Sequence, residues 1–398
     1  MTLTRRAFFR TVGPGAGAPS PAMITARGRE ALEGEFGSVE AGIIPPADVD
    51  EVRISSNENP LGPGPSAIQA IRDNMDQSNR YPMNSRITDR AVRARLAEQI
   101  DGASAENIVI APGSGEILRN CVRAFTSPNR PLVTAECSYE SPTRTAAYFD
   151  VPVKSVPNAA DLGLDLDKMA GAAIGAGLVF LCNPNNPTGT AHSRSDINDF
   201  VRYVTKASPF TYILVDEAYH EYVTKPSYST AADLALTHRN VLVARTFSKA
   251  YGMAGLRQGW TLATKETAAK IRAYKLTFGT NILGLAAIMG ALDDPEHLKQ
   301  EVDRNTEVRK YTMDFFRGHG YWVSDSQTNF MFAKTNMPAK DFREACAKHK
   351  VSVGRDFPPF EKTHARISIG TMEEMKRATE VFTEVLGLSA TDAGAGSN

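Results

Sequence analysis

The chain has 398 residues, 42% hydrophobic and 23% charged, a globular composition with length enough for two domains. Its 45 basic and 45 acidic residues balance, so nothing in the charge supports a nucleic-acid or polyanion partner. Cys121, Cys137, Cys182 and Cys346 match no CxxC or zinc spacing and read as free thiols with no metal site. No run approaches the roughly 20 apolar residues of a membrane span.

Residues 1–40 are set apart from the fold. "TRRAFFR" at Thr4–Arg10 resembles the twin-arginine export signal, and the stretch behind it is small and weakly apolar. Pro14, Pro19 and Pro21 are awkward there, because proline breaks a helical apolar region. The expectation is export to the periplasm, with a cytoplasmic chain carrying a disordered N-terminal tail as the alternative. The last ten residues, 389–398, are small and polar and read as a second disordered tail.

Residues 41–80 read as an arm contributing to a smaller domain, 81–295 as a large domain and 296–388 as the small C-terminal domain. "ENIVIAPGSGEILRNCVRAF" reads as strand, Gly-rich turn and helix. "GLVFLCNPNNPTG", "YILVDEAYHEYV" and "NVLVARTFSKAYG" each run from an apolar strand into polar residues. Near-continuous Val/Ile/Leu runs separated by helices predict an α/β fold, with a mostly parallel central sheet covered by helices on both faces. After Thr280 long helical stretches and the strands "TNFMFAKT", "VSVGRDF" and "ARISIGT" predict the smaller α+β unit. Ligands of such sheets sit beyond the carboxyl ends of the strands, and four polar motifs stand at those ends.

The first is Gly113–Glu116, "GSGE", which is either a tight structural turn or a phosphate cradle at a helix start. The second, Asn183–Gly189, is either a rigid turn or a scaffold that aims asparagine amides at a ring oxygen. The third, Asp216–Tyr219, ends an apolar strand. Its acid either caps and solvates that end or meets a buried cation, such as a protonated heteroaromatic nitrogen. The fourth centres on Lys249, preceded by Thr246 and Ser248 and followed eight positions on by Arg257. The lysine is either a surface charge or an amine whose pKa burial and Arg257 lower, suited to a Schiff base with an aldehyde. Thr246, Ser248 and Arg257 suit a phosphate. One ligand takes all four motifs: pyridoxal 5′-phosphate, whose pyridinium is an electron sink for a carbanion at an amino acid's α-carbon.

On these motifs, with "SNENPLGP" (Ser56–Pro63), "RYP" (Arg80–Pro82) and "RISIGTMEEM" (Arg366–Met375), the chain resembles the fold-type I, class I/II aminotransferases. It is most similar to their histidinol-phosphate aminotransferase branch, from about Ile54 to Leu388. The resemblance implies that Lys249 is the Schiff-base lysine and proton carrier, and that Asp216 holds the pyridinium. Asn186 and Tyr219 bond the ring hydroxyl, and Tyr139 stacks on the ring. Ser114, Gly115, Glu116, Thr246, Ser248 and Arg257 hold the phosphate. Tyr81 reaches the phosphate of a neighbouring subunit, which implies a homodimer.

Arg366 is the expected clamp for the substrate α-carboxylate, with Arg355 and Asn59 as further substrate residues. In the branch, a "VxVR" arginine helps bind the substrate's phosphate. Here Gly354 holds that place and Arg355 comes one later, so strand alternation alone turns Arg355 to the other face. The implied reaction moves an amino group from an α-amino acid or amino alcohol, histidinol-phosphate-like or aromatic, to a 2-oxo acid such as 2-oxoglutarate. A lyase, decarboxylase or oxidase using the same cofactor is the alternative, and a non-catalytic binding protein on this fold is a third reading.

Overall fold

A computed structural model describes residues 50–388. The expected export segment and the C-terminal tail lie outside the described residues. Eleven strands are described: β1 (Val52–Ile54), β2 (Ile108–Ala111), β3 (Leu132–Ala135), β4 (Val153–Val156), β5 (Leu178–Cys182), β6 (Tyr212–Asp216), β7 (Val241–Thr246), β8 (Gly259–Leu262), β9 (Phe330–Ala333), β10 (Val351–Val353) and β11 (Ala365–Ser368).

The main sheet has seven strands in the order β2-β8-β7-β6-β5-β3-β4. Strand alternation explains why both faces are covered. Ile108, Ile110, Val179, Leu181, Ile213, Val215, Val241 and Val243 enter one core. Their neighbours Val109, Ala111, Leu178, Phe180, Leu214, Leu242 and Ala244 enter the other. One strand departs from the parallel expectation: β8 runs antiparallel between β2 and β7. The connection between Thr246 and Gly259 holds no helix longer than the turn Ala254–Leu256, so the chain returns in the opposite direction.

The smaller unit is built on the 24-residue helix Pro295–Gly318. It carries two two-stranded sheets, β1 parallel with β10 and β9 antiparallel with β11. Ile54, Phe316, Phe342, Val353, Ile367 and Phe382 fill its core. The N-terminal arm divides between the two units. β1 joins the small one, whereas the helix Pro65–Asp73 packs on the helix Ile282–Leu292 of the large one. That packing is backbone-close: a Cβ at Gly290 would stand 2.4 Å from the Ser66 carbonyl oxygen. All four cysteines are buried free thiols. Among the described residues, no helix is long and apolar enough to cross a membrane.

Candidate active site

The ends of β5, β6 and β7 meet as the register dictates: Cys182 lies beside Asp216, and Asp216 beside Ala244. Over them opens a cavity of about 580 Å³, roofed by the β1 arm and by residues after β10 and on β11. Ser114, Gly115, Tyr139, Asn186, Asp216, Tyr219, Thr246, Ser248, Lys249, Arg257, Arg355 and Arg366 all line it. A larger cavity of about 1060 Å³ lies between the helices Leu166–Ala172 and Arg194–Ala207 and is lined by none of the expected site residues.

One end of the site is built for an anion. The helix Ser114–Phe125 begins there, and its first N–H groups have no partner inside the helix. A Cβ at Gly259 would stand 2.3 Å from Ser114 N, so the helix start sits directly on β8. Thr246 and Ser248 add hydroxyls. Arg257 Nη1 lies 3.4 Å from Ser248 Oγ and donates to Ala254 O at 2.8 Å. Arg257 has φ 52°, the left-handed region that favours glycine, and strain of this kind marks a side chain held in place by its surroundings.

The middle of the site is shaped for a polar ring. Asp216 is buried, and among the described residues its Oδ1 has no hydrogen-bond partner. Burial raises its carboxyl to about pKa 7, more than the Ala218 backbone hydrogen bond and the Lys249 charge lower it. Burying an unpaired charge costs several kcal/mol, so a carboxylate placed this way suits a ligand that brings a cationic donor. Tyr219 Oη accepts from Asn57 Nδ2 at 3.1 Å and from Asn186 Nδ2 at 3.4 Å, which leaves its own proton to donate. Tyr139 forms part of the wall, its hydroxyl pKa pushed up to about 12 chiefly by burial.

Lys249 Nζ donates to the carbonyls of Asn57 at 3.1 Å and Ser56 at 3.3 Å, and lies 5.8 Å from the centre of the Tyr219 ring. Burial first, then the charges of Arg366 and Arg257, lowers its amine from 10.5 to about 8, against Glu58 and Asp216, which raise it. The neutral amine is the nucleophile. Capture of an aldehyde by the cofactor-free protein is therefore expected to speed up as pH rises to about 8 and then level off. Stopped-flow mixing checks this, and a midpoint near the ordinary 10.5 contradicts it.

Next to the arm that follows β1, Arg366 on β11 is buried and donates to Asn186 Oδ1 at 2.9 Å and Ser55 O at 2.7 Å. Among the described residues its Nε has no partner. Burial lowers its pKa to about 10, and among the described residues no carboxylate is bonded to it. Arg355 corrects the expectation from strand alternation. β10 ends at Val353, so alternation does not extend to 355. A Cβ at Gly354 would stand 2.5 Å from Arg366 O, so no side chain fits there. Arg355 lines the cavity, lies over the Phe357 ring at 4.2 Å and pairs with Glu140.

Three expected residues stand elsewhere. Asn59 lies outside the main cavity, where its side chain bonds Ala250 O and the Leu61 N–H and holds the arm in place. Asn57, two residues earlier, is the arm's asparagine in the site. Its φ is 54°, a region that asparagine tolerates better than most non-glycine residues, and nothing in "SNENP" distinguishes it from Asn59. The Glu116 carboxylate accepts from Leu276 N and Asn120 and faces a neighbouring cavity, so Glu116 can offer an anion only its backbone N–H. Tyr81 is 63% exposed and packs on Phe278, away from this chain's own cavity.

Residues 49–382 match the family described as "Aminotransferase class I and II". A histidinol-phosphate aminotransferase of Symbiobacterium thermophilum is 36% identical over 340 residues, 85% of this chain and 91% of that one. That of Bacillus subtilis is 32% identical over 336 residues, 84% and 91% of the two chains. A crystal structure of the Sinorhizobium meliloti histidinol-phosphate aminotransferase with pyridoxal 5′-phosphate aligns with TM-score 0.77 at 27% identity, covering 97% of this chain and 98% of that one. The unpartnered Asp216 oxygen, the anion cradle and the tuned lysine fit that cofactor's ring nitrogen, phosphate and aldehyde. The chain belongs to the class I and II aminotransferase family and is a pyridoxal 5′-phosphate-dependent aminotransferase.

Proposed function

We propose that the chain moves an amino group from a histidinol-phosphate-like or aromatic donor to a 2-oxo acid such as 2-oxoglutarate, as a homodimer with shared sites. The observation that carries this reading is the pair of guanidinium groups, Arg366 and Arg355, at the substrate end of Lys249's cavity. The names of the relatives support it. When bound, the cofactor supplies an electron sink for the donor's α-carbon. Lys249 Nζ would hold the cofactor at its aldehyde carbon and would carry the proton at the donor's α-carbon. Asp216 Oδ1 holds the ring-nitrogen proton, and Asn186 and Tyr219 bond the ring hydroxyl. Tyr139 stacks on the ring. Ser114, Gly115, Thr246, Ser248 and Arg257 hold the phosphate. Arg366 takes an α-carboxylate and Arg355 a distal anion. Tyr81 serves the neighbour's phosphate; its exposure and its place outside the cavity support that part.

Screening donors against 2-oxoglutarate tests this reading. Histidinol phosphate and aromatic amino acids are expected to yield glutamate faster than small aliphatic donors, and the reverse order contradicts it. Arg366→Met is expected to raise KM for 2-oxoglutarate about 30- to 100-fold, the loss of a charge-assisted bidentate contact. The half-reaction with histidinol phosphate, which carries no carboxylate, moves less. Equal losses for both substrates reject Arg366 as the clamp. A fully active monomer in sedimentation rejects the shared sites.

A further inference from the structure

We propose that Glu140 is a positioning residue that lets one cavity serve two substrates of different charge. Its carboxylate occupies Arg355 when the bound substrate lacks a distal anion, and gives Arg355 up when the substrate brings one. The inference rests on the reading of Arg355 as the residue that meets the substrate's distal end.

Transamination requires the same cavity to admit two substrates in turn, an amino donor and a 2-oxo acid. Their α-carbons meet the same groups, but their distal ends differ. A second carboxylate, as in 2-oxoglutarate, needs a cation. A neutral distal end leaves that cation bare in a partly closed space, which is unfavourable unless something else pairs with it. Glu140 fits the part of a replaceable internal anion.

Four observations carry this. Glu140 follows Tyr139 in the chain and lines the same cavity, so it stands at the substrate end. Its carboxylate pairs with Arg355 Nη2 and also lies 3.5 Å from Arg144 Nη2, so a second cation waits for it one helical turn away. Arg355 has supports of its own: it lies over Phe357 at 4.2 Å and donates to Asp356 O at 2.9 Å, so its head keeps its place when Glu140 leaves. The Arg355 and Glu140 side chains are 46% and 26% exposed, and an ion pair this open to water is weak enough to exchange.

The charges around it separate the roles. Arg343, also in the cavity wall, is committed to Asp356. Arg366 donates to neutral oxygens of Asn186 and Ser55 and stays ready for an α-carboxylate. Arg355 alone among these three is covered by a carboxylate that has another cation to turn to.

Glutarate and pentanoate test this, because they differ only in a distal carboxylate against a distal methyl. Their Kd values are measured by titrating the cofactor-loaded enzyme, for wild type, Glu140→Gln, Arg355→Met and the double variant. Glu140→Gln is expected to tighten glutarate about five- to tenfold while pentanoate moves less than about twofold. Arg355→Met weakens glutarate and spares pentanoate. In the double variant the gain from Glu140→Gln disappears, because the two residues act through one contact. Glu140→Gln affecting both acids alike, or a gain that persists without Arg355, overturns the proposal. If Arg355→Met weakens glutarate but Glu140→Gln changes nothing, the role of Glu140 fails and that of Arg355 stands. If Arg355→Met is silent, Arg355 does not meet the substrate and both fail.

Discussion

Lys249→Ala is expected to lower the rate of transamination by about 10⁴-fold or more, because it removes both the nucleophile and the proton carrier. The loss is chemical rather than structural. The lysine's side-chain hydrogen bonds reach two backbone carbonyls, Ser56 O and Asn57 O, and Asn57 O keeps the bond it accepts from Asn329 Nδ2. The anion cradle is made by other residues and remains. The variant is therefore expected to fold, to bind the cofactor reversibly through its phosphate end, and to lose covalent retention. Intact mass after borohydride reduction reads this directly: the cofactor's mass stays on wild type and is absent from the variant. A variant that keeps the wild-type rate places the chemistry elsewhere.

Asp216→Asn is expected to lower kcat/KM by about 10²- to 10³-fold, the effect of removing one partner from a buried charge pair. Asp216 is buried at the inner end of β6, and among the described residues its Oδ1 has no hydrogen-bond partner, so a ring nitrogen's proton would meet it there. The same position gives a second readout in the cofactor-free protein. Burial raises the Asp216 carboxyl from 3.8 to about 7, so the folded state binds this proton more tightly than the unfolded chain does. The resulting stability is fully present below pH 3.8 and is lost as pH rises through about 7. In Asp216→Asn that part of the pH dependence of Tm is expected to vanish. An unchanged Tm profile together with unchanged kcat/KM contradicts the assignment.

Much of this site was legible in the sequence because its parts stand at the ends of buried strands. Asp216, Thr246 and the turn after Cys182 each follow a run too apolar to be anything but sheet interior, so a polar residue there needs a ligand or a cap. The strand β8 was harder to read. "GWTL" is short, and its direction depends on a connection without a helix, a property of the assembled chain. The misplaced residues share a cause. Asn59 and Glu116 sit in motifs that do reach the site, but which side chain of a turn points inward depends on local dihedrals and on what packs against it. Asn57 is turned by its left-handed φ, and Glu116 is drawn off by Leu276 N. Glu140, Arg343 and Phe357 carry no motif. They reach the substrate end because β10 and β11 lie over the large sheet, and that approach joins residues far apart in sequence.

The central claim is that this cavity carries out amino transfer at Lys249. Its most direct test is a single half-reaction: the cofactor-loaded enzyme mixed with L-glutamate and no acceptor. One equivalent of 2-oxoglutarate per site is expected, with no ammonia and no carbon dioxide, and the stoichiometry is lost in Lys249→Ala. Ammonia or carbon dioxide released in place of 2-oxoglutarate, or continued turnover without an acceptor, would contradict it.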